Sequence, residues 1–159
     1  MSLQIRPFGE QDLNQVIQIT LLAFEPVFLS FELILGPKIF PILYPDWRKI
    51  QTEGVEKLIR NERIKFWIAD VASKAVGYIA FECYEDQTGE IQLLAVHPDY
   101  QNHGIGTELN IFALEKMKEA GMKLAVVGTG GDLSHAPARK SYEKAGYTGL
   151  PLVRYYKDL

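Results

Sequence analysis

The chain has 159 residues, of which 47% are hydrophobic and 23% charged, and it carries a formal net charge of −3. That length supports one domain with a proper apolar core, and the balance excludes a disordered or fibrous chain. The acidic excess speaks against nucleic acid as a partner, and a single cysteine, Cys83, excludes a disulfide framework and a cysteine zinc site. The opening Met1-Ser2-Leu3-Gln4-Ile5-Arg6-Pro7 has no basic region followed by an apolar one, so it does not read as a signal peptide. The most apolar segment, 27–35, contains Ser30 and Glu32 and is too short to span a bilayer. The expected setting is the cytoplasm, with no membrane partner.

Residues 3–6 alternate apolar and polar and predict a short strand. Asp12 precedes Leu13, Val16, Ile17, Thr20, Leu21 and Phe24 at helical spacing, with Asp12 as N-cap and Gln15 in a capping-box-like pair. Residues 25–45 hold four prolines among Phe28, Phe31, Phe40 and Tyr44, and predict one short helix before Gly36-Pro37 and another after it. Asp46 can cap a further helix through Trp47, Ile50, Val55, Leu58 and Ile59.

Residues 65–71 and 76–84 predict strands joined near Ser73-Lys74, being rich in β-branched and aromatic residues. Cys83 falls in the alternation Ile79, Phe81, Cys83 and reads as a packing residue. A turn at 86–89 leads to a strand at 90–96, which Pro98 stops. Residues 104–120 carry Ile105, Leu109, Phe112 and Met117 on one stripe and predict a helix ended by Gly121. A buried strand at 123–127, a flexible glycine-rich loop at 128–132, a helix from Ser134 to Ala145 and a strand at 152–157 complete the order. No repeat or linker is visible, so residues 1–159 form one α/β domain. Its sheet is mixed, because the helix at 104–120 must join two parallel strands by a right-handed crossover.

The informative stretch is Leu94-Ala95-Val96-His97-Pro98-Asp99-Tyr100-Gln101-Asn102-His103-Gly104-Ile105-Gly106-Thr107. A strand ends, a tight loop follows, and a helix opens with two glycines. Unpaired N–H groups and the helix dipole favour an anion there, and glycine lets the backbone approach it. A dinucleotide fingerprint would need a third glycine where Leu109 stands, and a P-loop would need Gly-Lys-Ser/Thr where Gly106-Thr107-Glu108 stands.

Gln101, Gly104 and Gly106 match the Q/R-x-x-G-x-G/A signature of the GNAT superfamily of N-acetyltransferases, and the segment resembles it. Ala138-Arg139-Lys140-Ser141-Tyr142-Glu143-Lys144-Ala145-Gly146-Tyr147 is similar to the family's A-x-x-x-Y-E-K-x-G-F/Y helix. The resemblance implies a GNAT-like mixed central sheet flanked by helices, acetyl-CoA as donor, and no metal. The backbone of Gln101, Asn102, His103, Gly104, Ile105, Gly106 and Thr107 would hold the pyrophosphate. That of Leu94, Ala95 and Val96 would meet the pantetheine arm. Tyr142 would protonate the departing thiolate, and Glu90 would serve as base, with Glu82 and Glu85 in reserve. His135 stands where the family commonly has asparagine, and Gln101 replaces the commoner arginine. His97 and His103 read as loop residues without metal-ligand spacing.

The resemblance implies a primary amine as acceptor, on a small molecule or on a peptide or protein, and maps its site to residues 24–46. Phe28, Phe31, Phe40, Tyr44 and Trp47 read either as its wall or as core. The resemblance also suggests a homodimer with contacts from residues 152–157. A non-catalytic acyl-CoA sensing module on the same fold, needing the glycines but neither Glu90 nor Tyr142, is the competing reading. Use of a longer acyl donor is another.

Overall fold

The computed structural model describes residues 2–159. Strand β1 (Leu3–Pro7) is followed by helices α1 (Leu13–Leu43) and α2 (Trp47–Arg60). Strands β2 (Lys65–Val71), β3 (Lys74–Cys83) and β4 (Thr88–Val96) come next. The chain then forms α3 (Ile105–Glu119), β5 (Leu124–Val127) and α4 (Ala136–Lys144). The sheet runs β1-β2-β3-β4-β5. Its first three pairings are antiparallel and β4–β5 is parallel, which requires the α3 crossover. The sheet is thus mixed, as the element order predicts.

Helices cover both faces. Ile105, Leu109, Ala113 and Met117 of α3 pack on Val76, Ile79, Phe81, Ile91 and Val96. On the other face Val16 and Ile19 of α1 and Val55 of α2 pack on Ile68, Ala75, Tyr78 and Ala95. Strand β3 lies centrally, so residues 75–81 are buried on both sides. Tyr78 is fully buried, and its hydroxyl meets Thr20 Oγ1 at 2.7 Å. Because Thr20 donates its own proton to the Val16 carbonyl (2.7 Å), Tyr78 is the donor to Thr20.

Several local expectations are corrected. Asp12 does not cap α1. Its carboxylate takes two bonds from Arg6 (both 2.8 Å) and one from the Gly9 N–H (2.9 Å). Arg6 also donates through Nε to Asp70 at 2.9 Å, so one guanidinium ties β1, β2 and the entry to α1 together. A charged bidentate donor outcompetes a helix N–H for that carboxylate. Asp46 does cap α2, accepting from the Lys49 N–H at 3.1 Å.

The break expected at Gly36-Pro37 is present, since Gly36 at φ 75° and ψ 178° divides α1 into two limbs, but the first limb runs on from the helix that starts at Leu13. Together with the preceding 3₁₀ turn, the run from Glu10 to Leu43 is long and apolar enough to cross a membrane by length and composition, beyond what segment 27–35 suggests. Its first limb packs on the sheet, while Leu29, Leu33, Ile34 and Ile42 are exposed.

Strand β5 is an edge rather than a buried strand, with Leu124 60% and Val126 39% exposed. Residues 152–157 form no strand; Leu152, Val153 and Tyr155 are exposed. The alternation there is that of a strand, but the segment adds no ladder to the sheet, which ends at β5. Helix α4 begins after a 3₁₀ turn at Leu133–His135, so His135 rather than Ser134 stands at its N-cap position.

Candidate functional site

The site begins where two strands part. The β4–β5 register runs from Thr88↔Leu124 to Ile91↔Val127 and stops, while β4 continues to Val96. From Gln92 onward that edge of β4 has no strand beside it among the described residues. On its other side, Leu93 faces Ala80 and Ile91 faces Phe81, which leaves Gln92 as the extra residue of a bulge. A bulge bends and twists its strand, so β4 turns away from β5 at this point. Leu94 and Val96 pack toward α3, whereas Leu93 and Ala95 pack toward α1 and α2.

The loop beyond β4 is built to present N–H groups. His97 closes the ladder by donating to the Val76 carbonyl at 2.8 Å. One 3₁₀ turn, Pro98–Tyr100, follows. Gln101 is spent on the loop itself: its N–H donates to Pro98 (3.2 Å) and its side-chain amide to the Val96 carbonyl (2.9 Å). Asn102 and Gly104 adopt φ of 62° and 82°, and residues 101–104 are exposed. The Glu108 N–H donates to the Gly104 carbonyl at 3.0 Å as α3 begins. The N–H groups of Ile105, Gly106 and Thr107 therefore have no acceptor within the helix.

Gly106 brings the start of α3 close to α4 and to the end of β4. A β-carbon there would stand 3.5 Å from Ser141 Oγ, 3.9 Å from Leu94 and 4.0 Å from Val96. Ser141 belongs to α4, accepts from Asn110 at 3.1 Å and lies 3.4 Å from the Thr107 hydroxyl. Helix start, strand exit and α4 thus converge on one cleft. An anion there gains unpaired donors and a favourable dipole, so a phosphate-bearing cofactor fits.

The two residues expected to move protons lie on different elements. Tyr142, beside Ser141 on α4, is half-buried, makes an edge contact with Tyr147 (5.8 Å), and has its phenol pushed up to about 12 by burial. It keeps its proton throughout the neutral range, which is the condition for an acid. Glu90 sits on β4 where β5 still pairs, opposite Val126. Its Oε2 accepts from the Tyr84 hydroxyl (3.1 Å) and from Gln92 (3.4 Å). Glu82 pairs with Glu90 across β3–β4.

The aromatic residues of α1 and α2 form one continuous stack. Phe28 lies flat on Trp47 (4.6 Å) and edge-on to Tyr44 (5.1 Å), and Phe31 stacks on Tyr44 (5.8 Å). Phe28 and Phe40 are buried; Phe31, Tyr44 and Trp47 are only partly so. The cluster is therefore core at one side and wall at the other.

The glycine-rich loop, whose composition predicts flexibility, is held by side chains from two helices. Arg139 of α4 donates one nitrogen to the carbonyls of Gly130 (2.6 Å) and Asp132 (2.7 Å). Asp132 receives Ser30 of α1 (2.7 Å), Ser134, and His135 Nδ1 (2.5 Å). Burial pushes the Asp132 carboxyl up, but the bonds from Ser134, Ser30 and His135 outweigh it and hold it well below the usual carboxylate range. The signal in the sequence was the three-residue spacing of Asp132 and His135 after paired glycines. It is a weak one, because only the fold brings Ser30 across to it. Elsewhere, a shallow concavity of about 500 Å³ lies against Arg6, Asp12 and Asp70, on the strand edge far from the cleft. Among the described residues no three His, Cys, Asp or Glu are grouped to hold a metal ion.

Comparison with known proteins agrees with the geometry. The sequence model of the acetyltransferase (GNAT) domain matches residues 62–149, more than half of the chain. An uncharacterized N-acetyltransferase of Bacillus subtilis, YsnE, is 29% identical over 110 residues, covering 69% of this chain and 72% of that protein. An uncharacterized N-acetyltransferase of Methanocaldococcus jannaschii is 26% identical over 103 residues, covering 61% of this chain but only 45% of that protein. Among solved structures, the PaiA N-acetyltransferase of Thermoplasma acidophilum in complex with coenzyme A superposes with a TM-score of 0.69. It shares 19% sequence identity, over 93% of this chain and 91% of the other. The chain belongs to the GNAT acetyltransferase family.

Proposed function

We propose that the protein transfers an acetyl group from acetyl-CoA to a primary amine. The observation that carries this reading is the start of α3 at Gly106, where three N–H groups without an acceptor in the helix stand beside Leu94 and Val96, on the part of β4 that β5 does not pair. The N–H groups of residues 102–107 hold the pyrophosphate, with Gln101 bracing their loop from behind. The open edge of Leu94, Ala95 and Val96 receives the pantetheine arm as a neighbouring strand would. When bound, acetyl-CoA supplies the activated thioester, and the protein supplies orientation and proton transfer.

Tyr142 delivers the proton to the departing thiolate. Glu90 is the carboxylate to test as base, with its hydrogen bonds from Tyr84 and Gln92 fixing its position. The stack formed by Phe31, Tyr44 and Trp47 lines the acceptor side and favours an amine with apolar flanks, on a small molecule or a peptide. The reaction takes place in the cytoplasm, and a second copy docks against residues 152–157. The sensing-module alternative predicts binding without turnover.

The test is calorimetric titration with acetyl-CoA, using a nicotinamide dinucleotide as control, followed by thiol release in the presence of amines. Saturable one-to-one binding of acetyl-CoA alone supports the reading. Absence of binding refutes it, and binding without thiol release from any amine favours the sensing module.

A further inference from the structure

The clamped loop after β5 holds a pair of groups to which the reading above gives no task. Asp132 and His135 are among the less exposed polar residues of the region, with side chains 11% and 15% accessible. The Asp132 carboxylate lies 2.5 Å from His135 Nδ1. This bond places the imidazole proton on Nδ1 and leaves the lone pair on Nε2. The arrangement is over-determined. Ser30 reaches the same carboxylate from α1, and Ser134 from the loop. Arg139 locks the backbone on the far side. A β-carbon at Gly130 would overlap both His135 Nδ1 and Asp132 Oδ1, so the main chain packs directly against the pair.

The position matters as much as the pairing. The loop leaves β5 just after Val127, where β5 and β4 part. The His135 ring lies 5.6 Å from Phe31, at the end of the aromatic stack on α1. The charged groups around it are Asp132 of its own loop and Arg139 of α4, whose guanidinium is committed to two carbonyls. From α1 it meets Phe31, and Ser134 of its own loop lies 3.3 Å from Nδ1. Glu90, in contrast, lies where β4 and β5 are still paired, and its carboxylate is engaged by Tyr84 and Gln92.

We infer that His135, oriented by Asp132, takes the proton from the acceptor amine in place of Glu90. The inference rests on the acetyl-transfer reading. The acceptor ammonium gives one proton to Nε2, and Asp132 stabilises the resulting imidazolium. The neutral nitrogen attacks the thioester carbonyl carbon, and the C–N bond forms. The nitrogen then sheds a second proton as the C–S bond breaks. The sulfur keeps the bonding pair and takes the Tyr142 hydroxyl proton, and the second nitrogen proton restores the phenol. The imidazolium returns its proton to water. One ammonium and one thioester give one amide, one thiol and one proton.

The experiment compares wild type with His135→Gln, Asp132→Asn and Glu90→Gln. Acetyl-CoA affinity is measured by calorimetry, thiol release is followed with 2-phenylethylamine as probe amine across pH, and the imidazole tautomer is read by nitrogen NMR. His135→Gln is expected to lower kcat/KM about 10²–10⁴-fold, the range for a lost general base, and to abolish the acid limb of the pH profile. Acetyl-CoA affinity should stay unchanged. Asp132→Asn should retain the imidazole but lose the Nδ1–H tautomer and much of the rate, and Glu90→Gln should keep the acid limb. An unchanged acid limb in His135→Gln overturns the inference. A wild-type imidazole protonated at Nε2 and not at Nδ1 overturns it too, without any need for turnover. Failure of wild type to bind acetyl-CoA would instead refute the acetyl-transfer reading itself, and calorimetry alone reveals that.

Discussion

Replacing Gly106 by valine separates the cleft from the fold that builds it. Gly104 is the poorer probe. Its φ of 82° lies in the left-handed region, so any side chain there strains the backbone, although nothing lies within 4 Å of where a β-carbon would stand. Gly106 lies in the first turn of α3, its φ is not in the left-handed region, and its β-carbon would have only ordinary contacts at 3.5–4.0 Å. Valine there pushes its γ-methyls beyond these contacts toward Ser141, Leu94 and Val96, so overpacking should cost roughly 1–3 kcal/mol. Its methyl groups would crowd the junction of α3, α4 and the β4 exit, beside which the N–H groups of Ile105, Gly106 and Thr107 lie.

A hydrogen bond to a charged group contributes roughly 1.5–3 kcal/mol, so losing two gives about 3–6 kcal/mol. At about 1.4 kcal/mol per decade, that is roughly 10²–10⁴-fold in Kd. Calorimetry with acetyl-CoA measures the loss, and a thermal melt checks that the fold is intact. Wild-type affinity in a folded Gly106→Val protein would refute the assignment of the cleft to the phosphates.

Three further outcomes follow from named contacts. Arg6→Leu strands two buried carboxylates and should cost about 3–5 kcal/mol at neutral pH, measurable by urea unfolding. Because the Arg6 hydrogen bond, against desolvation, holds the Asp12 carboxyl below its usual 3.8, the stabilisation it brings is present above that value and is lost as pH falls through the lower folded value. The gap between wild type and variant should therefore close in acid, and a gap constant with pH would refute the account. Tyr142→Phe should lower kcat about 10²–10⁴-fold with acetyl-CoA affinity unchanged, the signature of a lost proton donor, and equal turnover would remove it from the mechanism. Tyr78→Phe deletes the donor to Thr20 while Thr20 keeps its bond to Val16, so unfolding should cost only about 0.5–1.5 kcal/mol less than in wild type.

The sequence alone determined the features that depend on neighbours along the chain. The Leu94-to-Thr107 stretch announces a strand, a stop and a glycine-opened helix, because proline, glycine and orphan N–H groups act within one turn. The A-x-x-x-Y-E-K-x-G-Y helix and the Asp46 cap were legible for the same reason. So was the mixed sheet, since a helix joining two strands constrains their direction.

What only the tertiary structure decided depends on what lies across the fold. Asp12 looks like a cap until β1 brings Arg6 beside it, and charge-assisted bonds win over a helix N–H. Residues 152–157 alternate like a strand, yet they add no ladder to the sheet, because alternation along the chain does not bring a segment to an edge. The loop at 128–132 reads as flexible because glycine is permissive. It is clamped because Ser30, more than a hundred positions earlier, and Arg139 reach it from two different helices. Propensity acts within a turn; a hydrogen-bond network between α1, α4 and a loop exists only once the sheet has set those elements side by side.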